Sequence, residues 1–343
     1  MIRDAIATVV GGRELPEDLA ARAMRSVVRG EVTDGQLGGL LAALRTRGET
    51  ASEIAAFARV MGEVARTIRL PVQGPLVDTC GTGGDGSMSF NISTAAAIVA
   101  AGAGVPIAKH GNRAVSSGCG SADVLEALGV RLPLAPGDEA RVMTEAGIVF
   151  LHAPAHHPAM RHAAGVRREI GVRTVFNILG PLLNPARADV QLLGVYDPAL
   201  VLPVAGALAT LGRERAWVVH GSGLDELTTT GESVVASLDR GRIETFSIAP
   251  EELGLSRVPA VALRGGGPAE NARIVLGVLQ GTEGPARDVV LLNAAAAILL
   301  GGRARDLSGG FSAAERAVER GAALERLERL VRATGGMPCF STT

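Results

Sequence analysis

A chain of 343 residues with 47% apolar composition holds enough apolar side chain for a packed core of roughly two domains, which excludes a largely disordered protein. Its formal charge of −1 offers no overall attraction for nucleic acid or an anionic membrane, so any basic site must be local. Cys80, Cys119 and Cys339 are an odd set without metal-ligand spacing, which argues against a disulfide framework and for a reducing cytoplasm.

From the N-terminus, the apolar run Ala5 to Val10 meets acidic residues by Asp18, too soon for a secretory signal. Thr33 with Gln36 and Thr50 with Glu53 are capping boxes that lead into apolar-periodic runs, so residues 1–72 are expected to form a small all-helical domain. The Pro71 to Pro75 cluster marks its end. Residues 73–343 then alternate short β-rich runs with helical ones, the pattern of a mostly parallel sheet covered by helices. Strands are expected at 76–79, 105–108, 148–152, 190–195, 216–220, 234–238 and 243–248. Helices are expected at 93–103, 122–128, 138–146, 199–211, 271–280 and 312–332. The longest apolar stretches, 95–108 and 289–300, fall short of the roughly 18–20 residues that span a bilayer.

The first glycine-rich loop, Asp78 to Thr94, places Gly81, Gly83 and Gly86 in the spacing of a dinucleotide fingerprint. That motif needs an acid about 20 positions later to hold ribose hydroxyls, yet none occurs between Asp85 and Asp123; no lysine follows the glycines as in a Walker loop. Asn91, Ser93 and Thr94 stand where an alanine-rich helix begins, as helix caps or as donors to phosphate beside the positive helix end. On its own the loop fits a plain turn with a cap as well as it fits an anion cradle.

The second loop, Lys109 to Ser121, follows another β-like run, and the acid-free stretch from Gly86 to Ala122 leaves Lys109 and Arg113 in locally positive surroundings. Lys109 is the only lysine among 34 basic residues, either a chance survivor of an arginine-rich habit or a chemically required one. Two such loops at successive β-to-α turns would both open at the carboxyl ends of strands, where α/β sheets bind ligands.

Gly81-Thr-Gly-Gly-Asp85, Asn91-Ile-Ser-Thr94, Lys109-His-Gly-Asn-Arg113 with Ser116 and Ser117, and the run from His157-Pro-Ala-Met160 to Pro185 resemble the signatures of anthranilate phosphoribosyltransferases. The N-terminal helices and Asn293-Ala-Ala-Ala match the same family, so the resemblance covers nearly the whole chain. It implies a helical domain, joined by a return segment near 165–187 and commonly a dimer interface, hinged to a larger α/β domain. It also implies phosphoribosyl pyrophosphate and anthranilate as substrates, magnesium with two ions per subunit, and a homodimer.

Carried over by position, Gly81, Gly84, Asp85, Ser89, Asn91, Ile92, Ser93, Thr94, Lys109, His110, Gly111, Asn112, Arg113, Ala114, Val115, Ser116, Ser117 and Ser121 would surround phosphoribosyl pyrophosphate. Ser89 stands where threonine is frequent and keeps the hydroxyl. Gly81, Asn112 and Arg167 would engage anthranilate; Ser93, Asp225 and Glu226 would hold magnesium. The chemistry agrees, since a planar guanidinium suits a carboxylate and adjacent carboxylates suit a cation that neutralises departing pyrophosphate. Arg168, about 100° round a helix from Arg167, would face solvent or Glu169, and Gly180-Pro181 would shape the pocket for the ring. Anthranilate's amine is neutral at pH 7, so no general base is assigned: Lys109, Asn112 and Arg167 act by position and charge, and His110 and His157 are read as structural.

Two rivals are weaker. A pyrimidine nucleoside phosphorylase would carry lysines in and after its phosphate loop, and none precedes Lys109. A nucleic-acid-binding relative should have lost the acids or gained a basic stripe, whereas the arginines of 315–328 are interspersed with acids.

Overall fold

The computed structural model describes residues 1–114, 118–135 and 137–338. Helices α1 (Ile2–Val10), α2 (Glu17–Val28), α3 (Asp34–Arg47) and α4 (Ala51–Glu63) form the N-terminal bundle. Both expected capping boxes are present, at Thr33/Gln36 and Thr50/Glu53. Glu53 is fully buried beyond its capping role: it accepts the Leu15 N–H at 2.8 Å and pairs with Arg47, tying α4 to the chain that enters α2.

After the boundary come β1 (Val77–Gly81), α5 (Ile92–Gly102), β2 (Ile107–Gly111), α6 (Ser121–Ala127), α7 (Asp138–Ala146) and β3 (Ile148–His152). Next are α8 (Ala153–His156), α9 (Arg161–Ile170), α10 (Val175–Leu182), β4 (Val190–Gly194), α11 (Val201–Thr210) and β5 (Arg215–Gly221). The chain continues through β6 (Ser233–Asp239), β7 (Arg242–Ile248), α12 (Pro268–Leu279), α13 (Pro285–Leu300), α14 (Leu307–Glu319) and α15 (Ala322–Ala333). All seven expected strands are found within a few residues. The expected helix over 312–332 is instead two, because Gly321 adopts φ +72° between α14 and α15, a left-handed turn that an α-helix cannot contain. The expected helix over 199–211 starts as a 3₁₀ turn at Pro198–Leu200.

One seven-stranded sheet has the order β3-β2-β1-β4-β5-β6-β7, parallel through β5 and antiparallel at β6 and β7. Chain order reverses direction across β1 and β4, which makes their carboxyl ends the topological switch point. Strands β1 and β4 pair in full register from Val77↔Val190 to Gly81↔Gly194. Between β1 and β2 the backbone ladder has one pair, Val77↔Ile107. Side chains make the connection beyond it: Asp78 Oδ1 accepts from the His110 N–H at 3.1 Å, and Lys109 Nζ donates to the Thr79 carbonyl at 2.5 Å.

The period of two along buried strands divides the core. Leu192, Trp217 and Val219 join the apolar cluster of α5 and α13–α15, while Leu193, Val195, Ala216 and Val218 join that of α1–α4 and α9–α11. The N-terminal bundle, with α9 and α10 added from later in the chain, is therefore continuous in packing with the underside of the sheet. On the other face, α5 is buried all round, and its small residues permit close approach: a methyl at Gly102 would meet the Ala323 backbone at 2.8 Å.

Helix α13 reaches the carboxyl end of the sheet through Asn293, which is fully buried. Its amide accepts the Leu227 N–H at 3.0 Å and donates to the Leu227 carbonyl at 2.8 Å, clamping the turn after β5. Asn293→Ala leaves both backbone groups buried and unpaired, a cost of about 2–4 kcal/mol. A urea titration should show that loss as a lowered midpoint, and an unchanged midpoint would mean the turn is held by other contacts.

Candidate active site

The first glycine-rich loop leaves β1 at Gly81 and turns through Gly83, Gly84 and Gly86, at φ +65°, +71° and +79°. These left-handed positions explain the glycines better than any side-chain chemistry does. Asp85 closes the turn on itself: its Oδ1 accepts from the Ser87 N–H at 2.9 Å and the Ser87 hydroxyl at 2.8 Å. Ser89 bridges to Arg264 as an isolated β-pair.

Asp225 and Glu226 arrive from the turn after β5 and lock onto both ends of this loop. Asp225 Oδ2 accepts the Gly83 N–H at 2.6 Å, and Glu226 Oε1 accepts the Ser93 N–H at 3.0 Å at the start of α5. The Asp225 N–H donates to Asp85 Oδ2 at 3.2 Å, which brings a third carboxylate beside the pair. Gly81 and Gly194, register partners in β1 and β4, lie against Asp225, and a methyl at either would collide with it. Burial, then the neighbouring Asp85, raises the Asp225 carboxyl well above its ordinary range; burial, then Asp225, does the same for Glu226. Such a cluster of repelling acids is relieved by a cation.

Lys109 lies beneath this pair, 4% exposed, with Nζ donating to the Thr79 carbonyl and, at 3.2 Å, to Ser93 Oγ. Burial lowers its pKa, and Asp78 and Glu226 oppose that shift. The lone lysine thus braces the β1–β2 gap and fixes Ser93. Arg113 departs from the expected positive stretch, since its guanidinium pairs with Glu126 and Asp123 of α6. Its acidic partners follow the acid-free segment in sequence, and the helix brings them back.

The other loop residues divide by contact. Asn112 Oδ1 accepts the Arg113 N–H at 2.8 Å, and its carbonyl accepts from the Ser121 hydroxyl at 3.2 Å. Gly111 lies against that hydroxyl, and the Ala114 N–H donates to Asp123 at 2.8 Å. Asn91 makes no cap; its amide reaches the Cys119 carbonyl at 3.2 Å and accepts from Asn271 at 2.9 Å. The side chain of Ile92 belongs to the apolar core, and that of Thr94 is buried with its hydroxyl unpartnered. Val115, Ser116 and Ser117 lie outside the described residues.

Across the cleft, α9 carries Arg167, whose guanidinium carbon lies 5.6 Å from the Phe176 ring centroid. Burial lowers its pKa and no carboxylate within 4.0 Å pairs with it among the described residues, while Arg168 is exposed. Below the second loop, His110 and His157 meet edge to face with ring centroids 5.1 Å apart. Burial, then neighbouring histidines, keeps both rings neutral, His110 well below its usual value and His157 at about 4. Sequence reasoning passed over Asp78, which is fully buried and bridges β1 to β2. A charge within an otherwise buried strand was its available signal.

A mostly parallel sheet with a glycine-rich loop and a buried acid pair at its switch point defines an α/β protein with a site suited to an anionic ligand and a cation. The model of the glycosyl transferase family a/b domain matches residues 73–324, and that of its helical bundle domain matches residues 3–65. An anthranilate phosphoribosyltransferase of Methanocorpusculum labreanum is 51% identical over 336 residues, 98% of this chain and 99% of the relative. The structure of the Thermus thermophilus anthranilate phosphoribosyltransferase superposes with a TM-score of 0.90 at 48% identity, covering 97% of this chain and 99% of that one. That of Saccharomyces cerevisiae, solved in complex with PRPP and Mg, gives 0.88 at 29% identity, covering 97% and 98%. The chain belongs to the anthranilate phosphoribosyltransferase family, and it is a pentosyltransferase.

The buried histidines set a pH dependence. An imidazole in the unfolded chain titrates near 6.5, whereas His157 in the fold titrates at about 4 because burial and His156 oppose its charge. Between those values the unfolded state takes up a proton that the folded state refuses, so stability is complete above pH 6.5 and falls as pH drops toward 4. The contribution is about 3 kcal/mol at the acid end. Tm measured from pH 7 to pH 4.5 should fall less steeply for His157→Asn than for the wild type, and parallel curves would contradict this account.

Proposed function

We infer that this site transfers the phosphoribosyl group of phosphoribosyl pyrophosphate to the amine of anthranilate, releasing N-(5-phosphoribosyl)anthranilate and pyrophosphate, a step of tryptophan biosynthesis. The observation that carries the reading is the acid pair, Asp225 and Glu226, tied by backbone N–H groups to the two ends of a glycine-rich loop. Ser93, Asp225 and Glu226 would hold magnesium, two ions per subunit, with Asp85 beside them. The chemistry of the donor set fits: Asp225 and Glu226 are adjacent buried carboxylates, and magnesium is commonly held by one or two carboxylates plus substrate phosphates. When bound, the metal supplies neutralisation of the charge that leaves with pyrophosphate.

The chain's own groups do the rest. Backbone N–H groups of Gly84 and Asp85, and of Asn91 and Thr94 at the start of α5, receive the diphosphate beside the positive end of the helix, while those of Gly83 and Ser93 hold Asp225 and Glu226. Lys109 and Asn112 set the shape of the second loop, and with it the placement of the ribose phosphate by Gly111 to Ser117 and Ser121. Arg167, stacked on Phe176 and free of any acidic partner among the described residues, takes the anthranilate carboxylate, with Gly81 and Asn112 adjoining the ring. The amine then attacks the anomeric carbon as the bond to pyrophosphate breaks, with inversion, and the proton released by the newly bonded nitrogen passes to the departing pyrophosphate or to solvent. Neutral His110 and His157 are consistent with a reaction that needs no base, because the aromatic amine is already unprotonated.

A homodimer built through residues 1–72 and the return segment 165–187 belongs to the same reading, and sedimentation as a monomer would remove it. The free thiols of Cys80 and Cys119 agree with a reducing cytoplasm.

Loss of anthranilate fluorescence in a mixture with phosphoribosyl pyrophosphate and magnesium tests the reaction directly. Arg167→Ala is expected to raise the anthranilate KM by about 10- to 100-fold, the worth of a charge-assisted pair. Asp225→Asn should lower kcat and raise the magnesium concentration required. A folded wild-type protein without turnover would refute the assignment.

A further inference from the structure

Tyr196 follows β4 and lies between two guanidinium groups from the helical side of the cleft. Arg45 of α3 has its guanidinium carbon 5.6 Å from the ring centroid, and Arg173, in the segment between α9 and α10, has its own at 4.2 Å. Both are within cation–π range. Their charges have different fates: Arg45 also meets Asp197 at 3.6 Å, whereas no carboxylate lies within 4.0 Å of Arg173 among the described residues. The Arg173 guanidinium instead presses on the glycine-rich loop, where a methyl at Gly84 would lie 3.2 Å from its Cζ and Nη2. The backbone beneath Tyr196 is tied to the same loop, its N–H donating to Thr82 Oγ1 at 3.0 Å.

A guanidinium with its planar face on an aromatic ring keeps its N–H edge available, and that edge fits phosphate oxygens in the plane. We propose that Arg173 is a substrate-binding residue that holds the diphosphate of phosphoribosyl pyrophosphate against Gly84 from the helical side of the cleft, with Tyr196 as its positioning residue. This rests on the reading of the site given above. The diphosphate is favoured over the anthranilate carboxylate because Gly84 adjoins Gly83 and Asp85, the two residues bonded to Asp225. Arg173 is also presented by a segment that packs with the bundle, so its contact with the loop spans the cleft. Anion binding would then hold the helical side and the loop together.

The test is calorimetric titration of inorganic pyrophosphate with magnesium into the full chain, alongside steady-state kinetics. Arg173→Ala is expected to weaken pyrophosphate at least tenfold and to raise the phosphoribosyl pyrophosphate KM in proportion, with little change in the anthranilate KM. Arg173→Lys, which keeps the charge but not the stacked fork, should recover only part of the loss. Tyr196→Leu should weaken pyrophosphate more than Tyr196→Phe, which keeps the ring and drops a buried hydroxyl with no hydrogen-bond partner. A purely structural role would lower Tm and disturb both substrates alike, overturning the proposal; a rise confined to the anthranilate KM would do the same. Unaltered pyrophosphate affinity in Arg173→Ala, with wild-type binding intact, overturns the Arg173 assignment alone. Failure of the wild type to bind pyrophosphate or turn over would overturn the underlying reading as well.

Discussion

Two backbone N–H groups, those of Gly83 and Ser93, end on carboxylates delivered by a distant turn, and the architecture around the cleft can be derived from that constraint. Asp225 and Glu226 repel each other and Asp85, and burial adds to the penalty of their charge. Such an arrangement persists only where something fixes it from outside. Here the fixing groups are the N–H donors of the loop, the ammonium of Lys109 near Glu226, and Asn293 of α13 gripping Leu227. The fold stores an unfavourable arrangement of charge at the place where a cation and a polyanionic substrate would relieve it.

The sheet topology makes this delivery possible. Reversal of strand order across β1 and β4 opens a crevice at their carboxyl ends, and Gly81 and Gly194 sit opposite each other there. With no side chain on either, the turn after β5 can lay Asp225 directly on the strand ends. On the other flank, β1 and β2 share one backbone pair, so Asp78, Lys109 and His110 replace ladder bonds with side-chain bonds.

Much of this was legible in the residues. Strand and helix order followed from period and punctuation, because alternation of buried β runs with alanine-rich helices leaves few other folds. Glycine and hydroxyl clustering located both loops, and the acids of the turn after β5 stood out between glycines. What escaped was set by spatial return of the chain. Arg113 lay in an acid-free stretch, yet α6 folds Asp123 and Glu126 back onto it. Ile92 belongs to a binding motif in sequence, but helical phase turns its side chain into the core. Gly321 broke an apparently continuous C-terminal helix, because a single glycine can act as interior filler or as a left-handed stop, and only packing decides between them. Arg173 lay within the run from His157 to Pro185 with no role assigned to it; its meaning comes from Tyr196 and Gly84, which are distant in sequence.

The histidines complete the electrostatic argument. A ribosyl group in transit carries developing positive charge at the anomeric carbon, and a protonated imidazole nearby would raise that barrier. His110 lies in β2, between Lys109 and Gly111, and packs against His157; burial denies both rings a proton at neutral pH. Lys109, the cation that does lie at the site, is compensated by Glu226 and Asp78. Arg167 and Arg173, on the helical side, have no acidic partner among the described residues, and anionic parts of the substrates would meet them there. The cleft thus separates attraction for carboxylate and phosphate from the place where the sugar becomes cationic, and that separation requires two packed units facing each other.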